Sequence, residues 1–274
     1  MQQVSPPEIF DRRRRRALQA RALHRSQGNH FLWDILCDDI ADRLRCTTRN
    51  FERGLIIGPL AFQTEALTNG KVGSVSTLPL ADEDRLDPST EQYDLIIAAG
   101  TLDSVNDLPG ALIQIRRSLR PDGLFLGAMF GAGSLAHLKK AMLTADGEKA
   151  TAHIHPQIEL RSAADLLSRT GFALPVADKI GYDVRYSSWQ RVVADLRDAG
   201  LGNCLAGNRR YLGRDYLQKL NLAWAQQTGD DNKVTERFEF IHLSGWAPSP
   251  DQPRPAARGS GQVSLATTLG KAGS

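Results

Sequence analysis

The chain has 274 residues, of which 41% are hydrophobic and 24% are charged, a balance that excludes wholesale disorder and collagen-like repetition and allows a sizeable core. The formal net charge is only +3. No apolar run approaches the roughly 18 to 20 residues that a membrane-spanning helix needs. Cys37, Cys46 and Cys204 form no CxxC pair, which favours a reducing compartment. We therefore expect a cytoplasmic protein without a secretion signal.

The positive charge is concentrated at the N-terminus. Residues 1–25 contain seven arginines against Glu8 and Asp11, so the rest of the chain is slightly acidic. Apolar residues interleave with Arg12–Arg16 at helical spacing, which predicts a basic helical arm over residues 1–30 with a solvated charged face. The alternative is a site for a polyanion or an anionic membrane surface. We do not expect nucleic acid as a partner.

Residues 31–247 alternate between helix and strand patterns. The predicted helices lie at 31–44, 61–67, 106–119, 134–143, 159–170, 188–199 and 216–227. The predicted strands lie at 54–58, 72–76, 93–99, 124–129, 179–186 and 237–246, with a turn at 120–123. Short, continuously apolar strands joined by helices indicate right-handed βαβ units and a parallel sheet.

The sequence thus predicts one α/β domain with a mostly parallel sheet, an antiparallel edge strand and helices on both faces. Residues 248–274 are dominated by Pro, Gly, Ser, Ala and Thr and are expected to form an irregular C-terminal tail.

Tyr93 to Lys139 reads YDLIIAAGTLDSVNDLPGALIQIRRSLRPDGLFLGAMFGAGSLAHLK. It resembles the class I S-adenosylmethionine-dependent methyltransferases, in particular the subgroup of malonyl-carrier-protein methyltransferases and the methyltransferase-like assembly factor of respiratory complex I. The assembly factor is the nearer match, because the similarity extends to Phe10-Asp11-Arg12, His153-Ile154-His155-Pro156, 166–172 and 254–260. The resemblance covers most of the chain. It implies a seven-stranded Rossmann-like sheet with the cofactor at the carboxyl ends of the first strands.

The family's glycine-rich cofactor turn corresponds to residues 57–62 of this chain. Only Gly58 remains, because Leu60 and Phe62 replace the next two glycines and Pro59 removes a backbone donor. We expect the two large side chains to fill space that S-adenosylmethionine needs, and we expect glycine at these two positions to be tolerated by the fold.

Two further cofactor elements are implied by the resemblance. Residues 71–77 offer no acid for the ribose hydroxyls. Asp82 or Glu83 would accept from the adenine amino group, and the alternative for this acidic run is a solvated turn. Gly58 and Gly100 would border the cofactor. Asp103 and Ser104 replace a His-Trp pair of the relatives and would lie near the acceptor substrate.

Two functions remain open. One is an S-adenosylmethionine-dependent methyltransferase whose cofactor binding is weakened or lost; some relatives imply modification of a protein arginine. The other is a non-catalytic scaffold or assembly factor that keeps the methyltransferase fold. The implied partner is a respiratory complex subunit or a small acceptor, and the inner membrane surface is an alternative location. The sequence identifies no catalytic residue.

Several other motifs have both a structural and a functional interpretation. His153 and His155 are interpreted as structural, with metal ligation as the alternative. The loop 131–134 brings backbone amides and a hydroxyl to a pocket mouth, or else Ser134 caps the next helix. Cys204 has no evident histidine partner and is interpreted as a small structural residue. Five aromatic residues could cover a substrate or pack in the core, and core packing is favoured for Trp189 and Trp224; the set is Tyr182, Tyr186, Trp189, Tyr211 and Trp224.

Overall fold

The computed structural model describes residues 8–25, 31–79, 86, 92–148, 150–207 and 211–253. Asp82, Glu83 and residues 254–274 lie outside these ranges. Among the described residues, no helix combines the length and the apolar character that a membrane span requires.

The helices and strands follow the predicted alternation. The α-helices are α1 Arg12–Arg25, α2 Phe31–Arg45, α3 Thr64–Thr68, α4 Leu108–Ser118, α5 Ala136–Asp146, α6 Leu160–Arg169, α7 Trp189–Asp198 and α8 Arg214–Ala225. The strands are β1 Phe51–Ile57, β2 Val72–Leu78, β3 Tyr93–Ala99, β4 Leu119–Phe130, β5 Ala173–Tyr186 and β6 Val234–Trp246. Short 3-10 helices lie at Pro59–Gln63 and Leu102–Ser104.

The described residues form one six-stranded sheet in the order β2-β1-β3-β4-β6-β5. The pairs β1–β2, β1–β3 and β3–β4 are parallel, whereas β6 pairs antiparallel with both β4 and β5. This arrangement confirms the predicted α/β fold. The strand order reverses between β1 and β3, so their carboxyl ends border the crevice in which open α/β sheets bind ligands.

The core lies on both faces of the sheet. One cluster joins the sheet to α2, α5, α7 and α8, and the other joins it to α4 and α6. The apolar periodicity of α4 explains its position, because Ala111, Leu112 and Ile115 form its buried face. Its start is capped as predicted: Asp107 accepts a hydrogen bond from the Gly110 N–H at 2.9 Å.

Three local features differ from the sequence predictions. β5 begins at Ala173, well before the predicted start at 179. The predicted turn at 120–123 lies inside β4, where Asp122 adopts a left-handed φ of 64° near an irregularity in the β3–β4 register. Ser134 does not cap α5, whose N-cap is Leu135; instead the Ser134 hydroxyl donates to the Glu239 carbonyl of β6 at 2.9 Å.

Core packing is confirmed for Trp224, which is buried, and Trp189 packs partly buried against the same cluster. Tyr211, in contrast, is 89% exposed.

The basic arm is inserted more deeply than its composition suggests. The buried residues of α1 are Arg15, Gln19 and Ala22, whereas the apolar Ile9 and Leu23 are exposed. The prediction of a solvated arginine face was therefore wrong for Arg15. The run of five arginines gives no local signal of which one faces inward, because that depends on what the helix packs against.

Candidate functional site

The glycine turn, defined here as Gly58–Phe62, follows β1 directly. Gly58 has a φ of 100°, a value that L side chains rarely adopt, and its N–H donates to the Leu78 carbonyl at 2.9 Å. A Cβ placed on Gly58 would lie 2.8 Å from the Ala99 carbonyl oxygen and 3.1 Å from the Thr101 Cγ2. The open side of this glycine is thus filled by the chain that leaves β3.

Trp33 of α2 closes the neighbouring position. A Cβ on Gly100, whose φ is 69°, would lie 2.4 Å from two carbon atoms of the Trp33 ring and 3.1 Å from the Pro59 Cγ. Trp33 is itself buried in the core. The Cβ side of Gly100 is therefore covered by an indole ring and a pyrrolidine ring.

The two large residues of the turn have different surroundings. Leu60 has no exposed surface and belongs to the core cluster that includes α2, whereas Phe62 is 61% exposed. Leu60 thus fills core space, and glycine at this position would leave a void, contrary to the expectation that the fold tolerates it. The side chain of Phe62 lies mostly in solvent.

The second strand supplies no acidic side chain at its end. Val72–Leu78 contains no Asp or Glu, and Leu78 is exposed. The Ser74 hydroxyl donates to the Glu52 carbonyl at 3.1 Å. Asp82 and Glu83, the residues proposed for the adenine, lie outside the described ranges.

A cavity of about 610 Å³ opens beside the end of β3. Gly100, Asp103 and Ser104 line it, so the structure brings together three of the predicted site residues. Its other walls come from α1, α5 and α7, from Phe130 and from the segments 151–157 and 200–207. We call it the Asp103 cavity. Gly58 lies at the neighbouring strand end, against Ala99 and Thr101.

Asp103 presents a carboxylate oxygen to this cavity. Its Oδ1 accepts a hydrogen bond from the Phe130 N–H at 2.7 Å, which fixes the carboxyl group against β4. No hydrogen bond joins its Oδ2 to another residue that the structure describes. Burial raises the pKa of Asp103 to about 6, although the N–H groups of Phe130 and of Asp103 itself and the charge of Arg15 act in the opposite direction. The carboxyl group is therefore mostly ionised at neutral pH.

His153 belongs to a hydrogen-bonded cluster in the same wall. Its Nε2 lies 2.9 Å from the Asp146 Oδ2 and 3.2 Å from the Tyr216 hydroxyl, and Asp146 also accepts from the Thr151 N–H at 2.9 Å. Because a carboxylate accepts, the His153 Nε2 carries a proton. The Nδ1 of His153 makes no hydrogen bond to any residue that the structure describes, and His153 lines the cavity.

Arg15 is the buried cationic group of the cavity wall, and the exposed Glu8 and Arg197 also line the cavity. Arg15 is 5% exposed, and its Nη2 donates to the Thr101 hydroxyl at 2.6 Å. Its charge also acts on Asp103, His155 and Cys204, so the guanidinium lies among these groups. Sequence reasoning missed both Arg15 and Trp33, since each belongs to a helical pattern that explains it without a site.

His155 and Cys204 form a closed pair in the same wall. The Cys204 N–H donates to the His155 Nε2 at 3.0 Å, and the sulfur lies 3.4 Å from that nitrogen. The interpretation of Cys204 as having no histidine partner was therefore wrong. Burial lowers the pKa of His155 to about 4 and raises the pKa of the Cys204 thiol to about 11. Both groups are neutral at physiological pH, which fits a structural role.

The two histidines do not converge. His153 contacts Asp146 and Tyr216, whereas His155 contacts Cys204 and packs edge-on against Phe10 at 5.1 Å between ring centroids. Across residues 8–253, apart from the ranges that are not described, no group of three or more His, Cys, Asp or Glu side chains could hold a metal ion.

Comparison with known proteins gives a consistent family. A family model described as "Methyltransferase domain" matches residues 46–175. The mitochondrial arginine-hydroxylase NDUFAF5 of Danio rerio is 30% identical over 284 residues, which cover 94% of this chain and 88% of that protein. The malonyl-[acyl-carrier protein] O-methyltransferase of Xylella fastidiosa is 31% identical over 178 residues, covering 65% of this chain and 57% of that one.

Structural comparison agrees with the fold. Phosphoethanolamine N-methyltransferase 2 of Haemonchus contortus, solved with S-adenosylhomocysteine, superposes with a TM-score of 0.50 at 13% identity, covering 89% of this chain and 61% of that one. At this identity the likeness concerns the fold alone.

Proposed function

Because this chain belongs to the methyltransferase-fold family that includes the arginine-hydroxylase NDUFAF5, we propose that it acts on an arginine side chain of a protein partner, which it binds in the Asp103 cavity. The sequence resemblance implies a respiratory complex subunit as that partner, and this remains a prediction.

The observation that carries the proposal is the Asp103 carboxyl group in the cavity wall. No hydrogen bond joins its Oδ2 to another described residue, and a carboxylate oxygen accepts hydrogen bonds. A guanidinium group has five N–H donors and no acceptor, so its chemistry is complementary to such a wall. The ionised Asp103 adds charge attraction, which is strong where water is partly excluded.

We further propose that S-adenosylmethionine binds weakly or not at all. Three features of the residues near the turn support this. The space on the Cβ side of Gly58 is occupied by Thr101, and the same space at Gly100 is occupied by Trp33 and Pro59. Pro59 has no N–H to donate. β2 has no carboxylate for the ribose hydroxyls. The residues at the turn thus do not fit the cofactor, and the proposed function includes no methyl transfer.

Isothermal titration tests the arginine proposal directly. The probes are a blocked peptide with one arginine and the same peptide with citrulline, which has the same shape but no charge. We expect the arginine peptide to bind at least about tenfold more tightly, because only its side chain pairs with Asp103. Equal affinity for the two peptides, or no binding of either, would contradict the proposal.

Thermal unfolding in the presence of S-adenosylmethionine tests the cofactor proposal. A ligand present at about 100 times its Kd stabilises a protein by about 2.7 kcal/mol, so binding in the micromolar range gives a clear shift at millimolar ligand. We expect no such shift. A shift of that size would show that the turn rearranges to admit the cofactor.

A further inference from the structure

Part of the lining of the Asp103 cavity is apolar and has no role in the arginine proposal. Five residues of this kind are partly buried, pack against the core cluster that joins the sheet to α2, and also line the cavity; they are Met142, Ile154, Val193, Leu196 and Leu201. We call them the apolar wall. Single exposed apolar residues are common on protein surfaces, whereas several that line one cavity indicate a place where a ligand completes their burial.

Two helices contribute one apolar side each to this lining. Leu138 and Met142 of α5 are four residues apart, and Val193 and Leu196 of α7 are three apart, so the members of each pair lie on the same side of their helix. Leu143 follows Met142 directly, but it is 54% exposed and does not belong to the lining. Position around the helix therefore decides which apolar side chains reach the cavity.

The apolar wall is continuous with the Asp103 carboxyl group. The N–H that donates to the Asp103 Oδ1 at 2.7 Å belongs to Phe130, which itself lines the cavity. Leu135 and then α5 follow Phe130 along the chain and line the same space. The exposed Glu8 and Arg197 also belong to the lining, so the apolar wall is one part of the cavity and polar groups form another. A ligand that Asp103 binds is thus in the same cavity as the apolar wall.

The cavity is larger than a guanidinium group requires. Its volume of about 610 Å³ lies in the range of pockets that bury most of a drug-sized ligand. A guanidinium group uses polar partners, whereas the apolar wall offers surface from which an aliphatic group displaces water favourably. Because an arginine within a protein has neighbouring residues, the same substrate segment supplies a candidate for that aliphatic group.

From this lining we infer that the Asp103 cavity contains a second, apolar subsite, which binds a large aliphatic side chain next to the substrate arginine. The inference rests on the proposed function, because it places the aliphatic residue beside an arginine that Asp103 binds. It narrows the substrate to protein segments in which leucine, isoleucine, valine or methionine directly flanks the arginine.

The test is titration of the full chain with four blocked pentapeptides. The central residue is arginine or citrulline, and its two neighbours are both leucine or both serine. Complete burial of a leucine side chain strengthens binding by about tenfold to a hundredfold. Since burial against one wall is incomplete, we expect arginine with leucine neighbours to bind about tenfold more tightly than arginine with serine neighbours.

The outcomes separate the subsite from the proposed function. A preference for leucine among the arginine peptides supports the inference. A preference for arginine over citrulline without a preference for leucine overturns the inference and leaves the proposed function standing. A preference for leucine without a preference for arginine supports the apolar subsite and overturns the proposed function. Absence of binding by all four peptides overturns both.

Two variants of α5 locate the preference on the protein. Met142→Gln places an amide in the apolar wall and keeps the length of the side chain, whereas Leu143→Gln introduces the same amide at the exposed neighbouring position. We expect Met142→Gln to reduce the leucine preference by about threefold or more and to keep the preference for arginine over citrulline. Leu143→Gln should leave both preferences within about twofold of the wild type.

An unchanged leucine preference in Met142→Gln, or equal losses in the two variants, overturns the inference. The four peptides are compared on the wild type, so that comparison decides the inference if Met142→Gln does not fold.

Discussion

The glycine turn and the Asp103 cavity lie at the carboxyl ends of neighbouring strands, but they differ in how tightly they are packed. At the turn, the space on the Cβ side of Gly58 is filled by the Ala99 carbonyl and by Thr101, and Leu60 is fully buried in the core. At the cavity, about 610 Å³ remains open, and Gly100 and the carboxyl group of Asp103 line it. One strand end is packed like a core, and the other is kept accessible and polar.

This difference shows that a glycine does not by itself mark a ligand site. Gly58 and Gly100 both have a positive φ, so glycine is required there by the backbone even where no ligand approaches. What distinguishes the cavity is the carboxyl group of Asp103, which lines the open space and is fixed by the Phe130 N–H.

The largest expected effect concerns the packed strand end. Leu60→Gly should lower the free energy of unfolding by about 3–5 kcal/mol, because it removes a fully buried side chain and adds backbone freedom. Urea unfolding measures this change. The matched control is Phe62→Gly, in which a mostly exposed side chain is lost and the expected change is below about 1 kcal/mol. Equal effects of the two substitutions would show that the turn is not packed as part of the core.

The next effect concerns the open strand end. Asp103→Asn should weaken binding of the arginine peptide by more than about tenfold, because it removes the charge from the cavity wall while keeping the shape of the side chain. Titration calorimetry measures the affinity. Asp38→Asn, the same change at an exposed position of α2, is the control and should have little effect. Equal affinities of the two variants would remove Asp103 from the binding site.

The pH dependence of arginine-peptide binding is a second test of the role of Asp103. Since the pKa of Asp103 is raised to about 6, the affinity for the arginine peptide should be constant above pH 7. Below pH 6 the affinity should decrease, approaching about a tenfold loss for each pH unit, because the carboxyl group becomes neutral. In Asp103→Asn this dependence should be absent. A dependence that persists in the variant would assign the titration to another group of the cavity.

The smallest effect is on stability and has the opposite sign. Because the pKa of Asp103 is higher in the folded protein than its usual value of 3.8, the folded state binds this proton more tightly than the unfolded state. The contribution of Asp103 to stability is therefore full below pH 4 and is lost as the pH rises through about 6.

Asp103→Asn should then be more stable than the wild type by about 1–2 kcal/mol at pH 8, after allowance for the contact of Asp103 with solvent. The difference should disappear near pH 4, and chemical denaturation at both pH values measures it. A variant less stable at pH 8 would show that the carboxylate contributes to the fold.

The sequence predicted most of the architecture. The apolar runs of β1 and β3 and the i, i+3, i+4 spacing in α4 are local patterns, so they identified these elements and the parallel pairing. Element ends were less well predicted, as the early start of β5 shows, because they depend on pairing with a partner strand. The six strands of the described residues compare with the seven that the resemblance implied.

The assignment of site residues stays a prediction. The resemblance implied that Gly100 borders the cofactor and that Asp103 and Ser104 lie near the acceptor, and the structure places all three in the lining of one cavity. His153 was singled out for its spacing from His155, but its partner Asp146 was not foreseen. Arg15 and Trp33 could not have been identified, since a run of arginines and an apolar stripe have adequate explanations in the helix alone.

The amino-acid sequence by itself determined the helices, the strands and the family, because hydrophobic periodicity and turn residues act over a few positions along the chain. Only the tertiary structure decided which strand end is filled and which is open. That outcome depends on how α1 and α2 pack on the sheet, where Trp33 covers Gly100 and Arg15 reaches Thr101. Contacts between residues that are far apart in sequence fix these distances, and no local pattern encodes them.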